Sequence, residues 1–214
     1  MFARQTPDQV AIGPDWIDLP GEARRVPVIE PALAADEIRL RGPHNHENAA
    51  AAATAAREAG VPDVAVAEAL RTFAGVPHRL EEVATVDGVL YVNDSKATNV
   101  SAAVRGVESF FSGVHLILGG SLKGGGFAEL REPVAERCRA CYLIGEAADE
   151  LAADLRESGV PLHRSGDLET AVAAAGEAAR EGEVVLLSPA CASYDQFRDY
   201  EERGERFRSL VSRA

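Results

Sequence analysis

From His78 to the C-terminus, short apolar runs alternate with longer stretches in which apolar positions recur at helical spacing. Runs at 115–118, 142–144, 160–163 and 184–187 have the length of buried strands, while 100–111, 127–138, 147–158, 168–180 and 197–212 predict amphipathic helices. Ahead of them, 80–86 and 89–92 predict two further strands, and the Asp87-Gly88 between them is a strong hairpin signal. Alternation of strand and helix with short loops implies βαβ units, and therefore a mainly parallel sheet covered on both faces. The pattern predicts an α/β, Rossmann-like domain over residues 78–214.

Residues 1–77 read differently. Up to about residue 40 there is little periodicity, and Pro7, Pro14, Pro20, Pro27 and Pro31 suggest short strands and turns with no core of their own. The segment GPHNHEN (42–48) then leads into an Ala-rich run that ends at Gly60. The helix propensity of Ala and the stop at Gly predict a helix there. Pro62 opens a second helix that ends before Gly75. The pair is expected to be the helical end-piece of a domain whose remainder lies outside this sequence.

Composition narrows the function classes. Of 214 residues, 46% are hydrophobic and 26% charged, a balance that supports a packed core. The formal net charge of -12 opposes binding to nucleic acid or to an anionic membrane, so locally placed Lys and Arg carry more meaning. Three cysteines, Cys138, Cys141 and Cys191, are sparse for a secreted scaffold. The C-x-x-C they contain has no second Cys or His pair at zinc spacing, and reads as small apolar residues between a helix and a strand. No window approaches the ~20 apolar residues of a membrane span. The opening MFARQTPDQVAIG has no apolar signal core, so the expected location is the cytoplasm.

Sheets of this type bind ligands beyond the carboxyl ends of their strands. Three polar loops are predicted there: NDSKATN (93–99), GGSLKGGG (119–126) and SPACASYDQF (188–197). Together they offer two lysines, several hydroxyls and free N–H groups at helix starts, a set suited to carboxylates or phosphates. Each loop also has a plainer reading. Asp94 and Ser95 are ordinary helix-capping types, the glycines at 124–126 make a flexible turn, and Lys123 alone reads as solvated. The glycine loop matches neither the P-loop nor the dinucleotide fingerprint, which removes the main support for a nicotinamide cofactor. Upstream, His44 and His46 stand two apart and so do not share a helix face, which weakens a metal reading. Asn45 fits an N-cap. Arg79, next to His78, fits either an interdomain ion pair or a phosphate contact.

Taken in order, GPHNHEN, FAGVPHRLE, YVNDSKATN, LILGGSLKGGGF, YLIGE, LLSPACASYDQF and EERGERF resemble the Mur ligase family, and NDSKATN and SPACASYDQF resemble its D-glutamate-adding branch. The resemblance covers residues 42 to the C-terminus. It implies an ATP-dependent carboxylate–amine ligase of peptidoglycan synthesis with three domains: one for the UDP-sugar, one for ATP, and a Rossmann-like third for the incoming amino acid. By resemblance, residues 1–77 are the tail of the ATP-binding domain and 78–214 the amino-acid-binding domain. The implied partners are D-glutamate, ATP and UDP-N-acetylmuramoyl-L-alanine, with Mg2+ held mainly by residues outside this sequence and none by a metal site within it. The implied full-length enzyme is a monomer.

Carried over position by position, Asn45, Asn48, Arg79 and Asp94 resemble ATP contacts. Thr98, Lys123, Ser193 and the backbone of Tyr200 resemble the grip on D-glutamate, and Lys96 and His78 resemble supporting residues. Two departures stand out. Ser121 replaces a common Asp, removing a carboxylate that helps orient Lys123, and Tyr200 replaces a common Phe. The P-loop and the acidic magnesium ligands of the family are not among these residues, so the isolated chain is expected to be inactive. The alternative is a non-catalytic amino-acid-binding module. A folate polyglutamate-type ligase shares the architecture, but NDSKATN and SPACASYDQF argue against it.

Overall fold

The computed structural model describes residues 6–13, 21–31 and 33–213. Pro14 and Pro20, two of the prolines read as turn markers, lie outside the described residues. The chain divides into two compact units, Met1–Ala74 and Gly75–Ala214.

In the first unit, strand β1 (Val10–Gly13) pairs in parallel with β2 (Arg24–Pro27). Helix α1 (Pro43–Glu58) begins directly after Gly42, whose φ of 92° is open to glycine, and has Pro at its first position. Its buried face, Asn45, Ala49, Ala50, Ala53 and Thr54, carries three Ala and no large side chain, so neighbours approach closely. Thr54 ties that face to the segment after β2, accepting from Ile29 N–H at 2.9 Å. Helix α2 (Asp63–Thr72) follows the extended Pro62. Both helices lie where the alternation of Ala, Gly and Pro predicts them.

The second unit is an α/β sandwich. Its elements are β3 (Glu81–Val86), β4 (Val89–Asn93), α3 (Val100–Glu108), β5 (Val114–Gly119), α4 (Arg131–Arg137), β6 (Cys138–Ile144), α5 (Ala148–Leu155), β7 (Leu162–Gly166), α6 (Leu168–Ala178), β8 (Val184–Leu187) and α7 (Tyr200–Val211). The sheet order is β3-β4-β8-β5-β6-β7. Only β3 runs antiparallel to its neighbour, through the Asp87-Gly88 turn with φ of 48° and 78°, the geometry of a tight hairpin. Strand residues alternate between two cores. Leu116, Leu118, Cys141, Leu143 and Leu186 meet α3, α4 and α5, whereas Tyr91, Ile117, Tyr142, Val185 and Leu187 meet α6 and α7. Among the described residues no helix is long and apolar enough to cross a membrane.

Several boundaries depart from the pattern, three of them with a plain local cause. The helix expected over 127–138 is a 3-10 turn (Ala128–Leu130) followed by α4. Pro133 is the cause, since its ring clashes with the carbonyl four residues back and confines the α-helix to begin at Arg131. Strand β6 extends back to Cys138, so both cysteines of the C-x-x-C lie in a strand as free thiols rather than between elements. Strand β7 is shifted to Leu162–Gly166, because a polar edge strand needs a hydrogen-bonding partner on one side only and carries little apolar signal.

Candidate functional site

The order β4-β8-β5 places three parallel strands side by side, so the loops that follow them emerge at one edge of the sheet. Contacts join all three. Ser121 N–H, after β5, donates to Ala192 O, after β8, at 2.9 Å. Lys123 Nζ reaches Thr98 O at 3.0 Å, across to the loop after β4. Lys123 is exposed, yet it is anchored over this edge rather than merely solvated. The loop after β6 joins as well: Asp195 accepts from Glu146 N–H at 3.1 Å and from Ser121 Oγ at 3.4 Å. Gly145 must be glycine for this, since a Cβ there would stand 2.0 Å from Asp195 Oδ2.

In the β4 loop, the reading of Asp94 and Ser95 as helix caps does not hold. Asn99 caps α3, accepting from Ala102 N–H at 2.9 Å. Asp94 is buried; its Oδ2 accepts from Ser188 Oγ at 2.7 Å and its Oδ1 from Leu80 N–H at 3.2 Å. Burial pushes its carboxyl up to about 7, with the Ser188 hydroxyl, the Leu80 amide and the charge of Arg79 pulling the other way. Ser95 Oγ donates to Tyr200 O at 2.8 Å, which seats the start of α7 on this loop. Lys96, half-buried, donates from Nζ to the Tyr200 hydroxyl at 2.8 Å. The Tyr200 hydroxyl thus makes a bond to Lys96 that a Phe at this position would lack. Thr98 is half-buried and Ser193 buried, each on a loop that Lys123 or its neighbours touch.

His78 is buried in a left-handed conformation, φ 63°. Its Nδ1 lies 3.0 Å from Asn93 Nδ2, its backbone N–H donates to Glu81 Oε2 at 2.9 Å, and its carbonyl accepts from Lys96 N–H at 3.0 Å. Through that last bond it positions the β4 loop. Arg79 is exposed. In the first unit, Asn45 is buried and donates from Nδ2 to Arg41 O at 2.6 Å, while Asn48 is exposed. The N-cap of α1 is Gly42, so Asn45 does not cap it. Among the described residues no group of three or more His, Cys, Asp or Glu is placed to hold a metal ion.

Sequence reasoning missed Arg203, which has no exposed surface, although it lies in α7 beneath these loops. Set within EERGERFR, it reads as one more solvated charge. The signal was its spacing: Arg203, Phe207 and Val211 stand four apart and share the buried face of α7. Asn93, fully buried and bonded to His78 and Ser95 N–H, was also missed.

The family model described as Mur ligase, glutamate ligase domain matches residues 78–191. The UDP-N-acetylmuramoylalanine–D-glutamate ligase of Acidobacterium capsulatum is 51% identical over 182 residues, covering 85% of this chain and 39% of the relative. The ligase of the same name from Solibacter usitatus is 48% identical over 180 residues, covering 84% of this chain and 40% of the relative. The chain thus spans about two fifths of the length of these curated relatives. Among solved structures, UDP-N-acetylmuramate-alanine ligase of Thermotoga maritima aligns with a TM-score of 0.60 at 17% identity, covering 81% of this chain and 39% of the other. A folylpolyglutamate synthase of Mycobacterium tuberculosis complexed with ADP aligns at 0.57 and 16% identity, covering 78% and 41%. Likeness at these identities concerns the fold alone.

Proposed function

The chain belongs to the Mur ligase family, and on that premise we propose that it supplies the amino-acid-binding part of an ATP-dependent ligase that adds D-glutamate to UDP-N-acetylmuramoyl-L-alanine. The observation that carries this reading is the joining of three strand-end loops at one sheet edge, with Lys123 Nζ laid across to the Thr98 carbonyl. D-glutamate presents two carboxylates and one amine. Lys123 and the Thr98 hydroxyl take the α-carboxylate, and Ser193 Oγ with the Tyr200 backbone N–H takes the side-chain carboxylate. Lys96 adds positive charge to the same edge. Held at both ends, the substrate leaves its amine as the free nucleophile, and orientation of this kind lowers the entropy cost of the reaction.

ATP supplies the activation, converting the carboxylate of UDP-N-acetylmuramoyl-L-alanine to an acyl phosphate. The D-glutamate nitrogen, once it has given up one ammonium proton, forms the C–N bond as the C–O bond to phosphate breaks, and it loses a second proton as the amide forms. Asp94 and Arg79 are read as contacts to the nucleotide, and Asn45 and Asn48 as contacts to its base. The unit Met1–Ala74 is read as the helical end of the ATP-binding domain. Asp94 meets that role with its carboxylate already engaged by Ser188 and Leu80, so a ribose hydroxyl would share oxygens that are partly committed. The enzyme is proposed to act as a monomer in the cytoplasm.

Calorimetry of the 214-residue polypeptide with D- and L-glutamate tests the binding reading: weak, D-selective binding is expected, and equal or no binding counts against it. Phosphate release with UDP-N-acetylmuramoyl-L-alanine, D-glutamate and Mg-ATP tests the rest. These residues contain no P-loop sequence, and phosphoryl transfer depends on positioning and charge neutralisation. The polypeptide alone is therefore expected not to turn over, and robust turnover would overturn that part.

A further inference from the structure

Arg203 spends every N–H it has on the three loops of the proposed site. Nε donates to Ser95 Oγ at 3.0 Å; Nη2 to Ser95 O at 2.9 Å and Cys191 O at 3.1 Å; Nη1 to Gly119 O at 3.4 Å and Ala192 O at 3.3 Å. A guanidinium has five donors in one rigid plane, and here all five are used. Ser95 follows β4, Gly119 ends β5, and Cys191 and Ala192 follow β8. One side chain on α7 thus fastens three loops that are distant in sequence. Among the described residues it forms no ion pair with a carboxylate, so its nearest partners are four carbonyl dipoles and the Ser95 hydroxyl. Asp195 acts on it only at longer range.

The glycines of the β5 loop fit this arrangement. A Cβ on Gly120 would stand 2.1 Å from Ala192 O and 3.1 Å from Arg203 Nη1, and one on Gly119 would stand 2.0 Å from Ile144 O. Only glycine lets this backbone descend onto the guanidinium. In a trans peptide the C=O and the N–H point in opposite directions. With the Cys191 and Ala192 carbonyls turned down to Arg203, the N–H groups of Ala192 and Ser193 are turned away from it; Ala192 faces Ser121 in an antiparallel bridge, which leaves the N–H of Ser193.

We propose that Arg203 is the positioning residue of the site: by drawing four loop carbonyls inward, it sets the Ser193 N–H and Ser193 Oγ on the side away from the guanidinium, as a cradle for one carboxylate of the amino-acid substrate. This rests on the reading of the edge as a glutamate site. A buried cation without a carboxylate partner also leaves its field available to an anion bound above it. Arg203 touches no substrate; it acts through the backbone it holds.

Two measurements separate this inference from the functional reading. The first is on the unaltered 214-residue chain: nuclear magnetic resonance of the Arg203 guanidinium, where distinct, slowly exchanging Nε and Nη protons are expected. A single averaged Nη signal, the mark of a freely rotating group, would overturn the clamp whatever the ligand is. The second compares Arg203→Lys with the parent by amide hydrogen exchange and D-glutamate titration. Lysine keeps the charge but offers three donors in a cone. Expected are faster exchange in 94–99, 119–123 and 190–194 together, unchanged exchange in β6, and D-glutamate affinity lower by about tenfold or more. Unchanged loop exchange in Arg203→Lys would overturn the proposal. Loop exchange that quickens without any loss of D-glutamate affinity would overturn the cradle. If Arg203→Lys does not fold, the guanidinium spectrum of the parent decides. If the parent binds no D-glutamate, the functional reading fails while the spectrum and exchange still judge the clamp.

Discussion

Lys96 Nζ donates a 2.8 Å hydrogen bond to the Tyr200 hydroxyl and lies 4.7 Å from the centre of the same ring. The first residue of α7 therefore serves the lysine twice, with the phenol oxygen as acceptor and the ring face as electrostatic partner. Replacing Tyr200 by Phe removes only the acceptor. The expected cost is about 0.5–1.5 kcal/mol of stability in urea unfolding. The D-glutamate dependence of the complete ligase should stay within about twofold, because the proposed substrate contact there is the backbone and a neutral hydrogen bond is small. A large rise in KM would instead place the hydroxyl against the substrate.

Lys123 should behave in the opposite way. It is exposed, and its one hydrogen bond ends on a loop carbonyl, so Lys123→Ala should change stability by no more than about 0.5 kcal/mol. If Lys123 grips a carboxylate, the same change should raise the apparent KM for D-glutamate by the worth of a charged hydrogen bond, about 1.5–3 kcal/mol. Steady-state kinetics in the complete enzyme, with D-glutamate varied, reads this directly. An unchanged dependence would remove Lys123 from the site.

How much of this was legible depended on whether a residue's environment is local. The hairpin at Asp87-Gly88, the Ala-rich helix ending at Gly60 and the run 184–187 announce themselves within a few residues, and the structure has them. Strand β7 was expected at 160–163 but lies at Leu162–Gly166; the sequence LHRSG marks its bounds poorly, since its partner is β6 and its outer side is open. The polar loops were legible as a group because βαβ topology sends them to one edge. Their internal wiring was not. The burial of Asp94 depends on Ser188, and the burial of Arg203 depends on Ser95 and Cys191, residues that chain pattern cannot bring together.

The raised carboxyl of Asp94 gives a pH signature of known sign. From the ordinary value of 3.8 it is pushed up to about 7 in the folded chain, so between these values the native state holds a proton that the unfolded state has lost. Asp94 therefore costs nothing below pH 3.8, destabilises progressively as pH rises, and exerts its full cost above about pH 7. Asp94→Asn removes this term while keeping an oxygen acceptor for Ser188 or Leu80. The stability of the parent minus that of Asp94→Asn should fall across this window and level off beyond it. Urea unfolding of both proteins at several pH values measures the difference, which cancels the other carboxylates. A difference that is flat, or that rises with pH, would show that Asp94 is not held as described.

Gly204 lies inside α7, where replacing glycine by alanine ordinarily stabilises a helix by about 0.5–1 kcal/mol. Here the sign should reverse. A Cβ at 204 would stand 2.2 Å from His78 Nδ1 and 2.9 Å from its Cε1, against the edge of a buried ring. That ring has little room to yield, because His78 is fixed by Asn93 at Nδ1, by Glu81 at its backbone N–H and by Lys96 at its carbonyl. Overpacking of this kind costs about 1–3 kcal/mol, and loss of the Asn93 contact would add to it. Gly176→Ala in α6 is the milder comparison: its Cβ would press only on the tip of one ring, 2.6 Å from the Tyr91 hydroxyl and 3.8 Å from its Cζ, where Gly204 would meet three atoms of the His78 ring. Gly204→Ala should therefore be the less stable of the two in urea unfolding. Because His78 holds Lys96 N–H, it should also weaken D-glutamate binding, whereas Gly176→Ala should not. Equal stability of the two variants would mean that α7 does not press on His78, and that the β4 loop is held in place by something else.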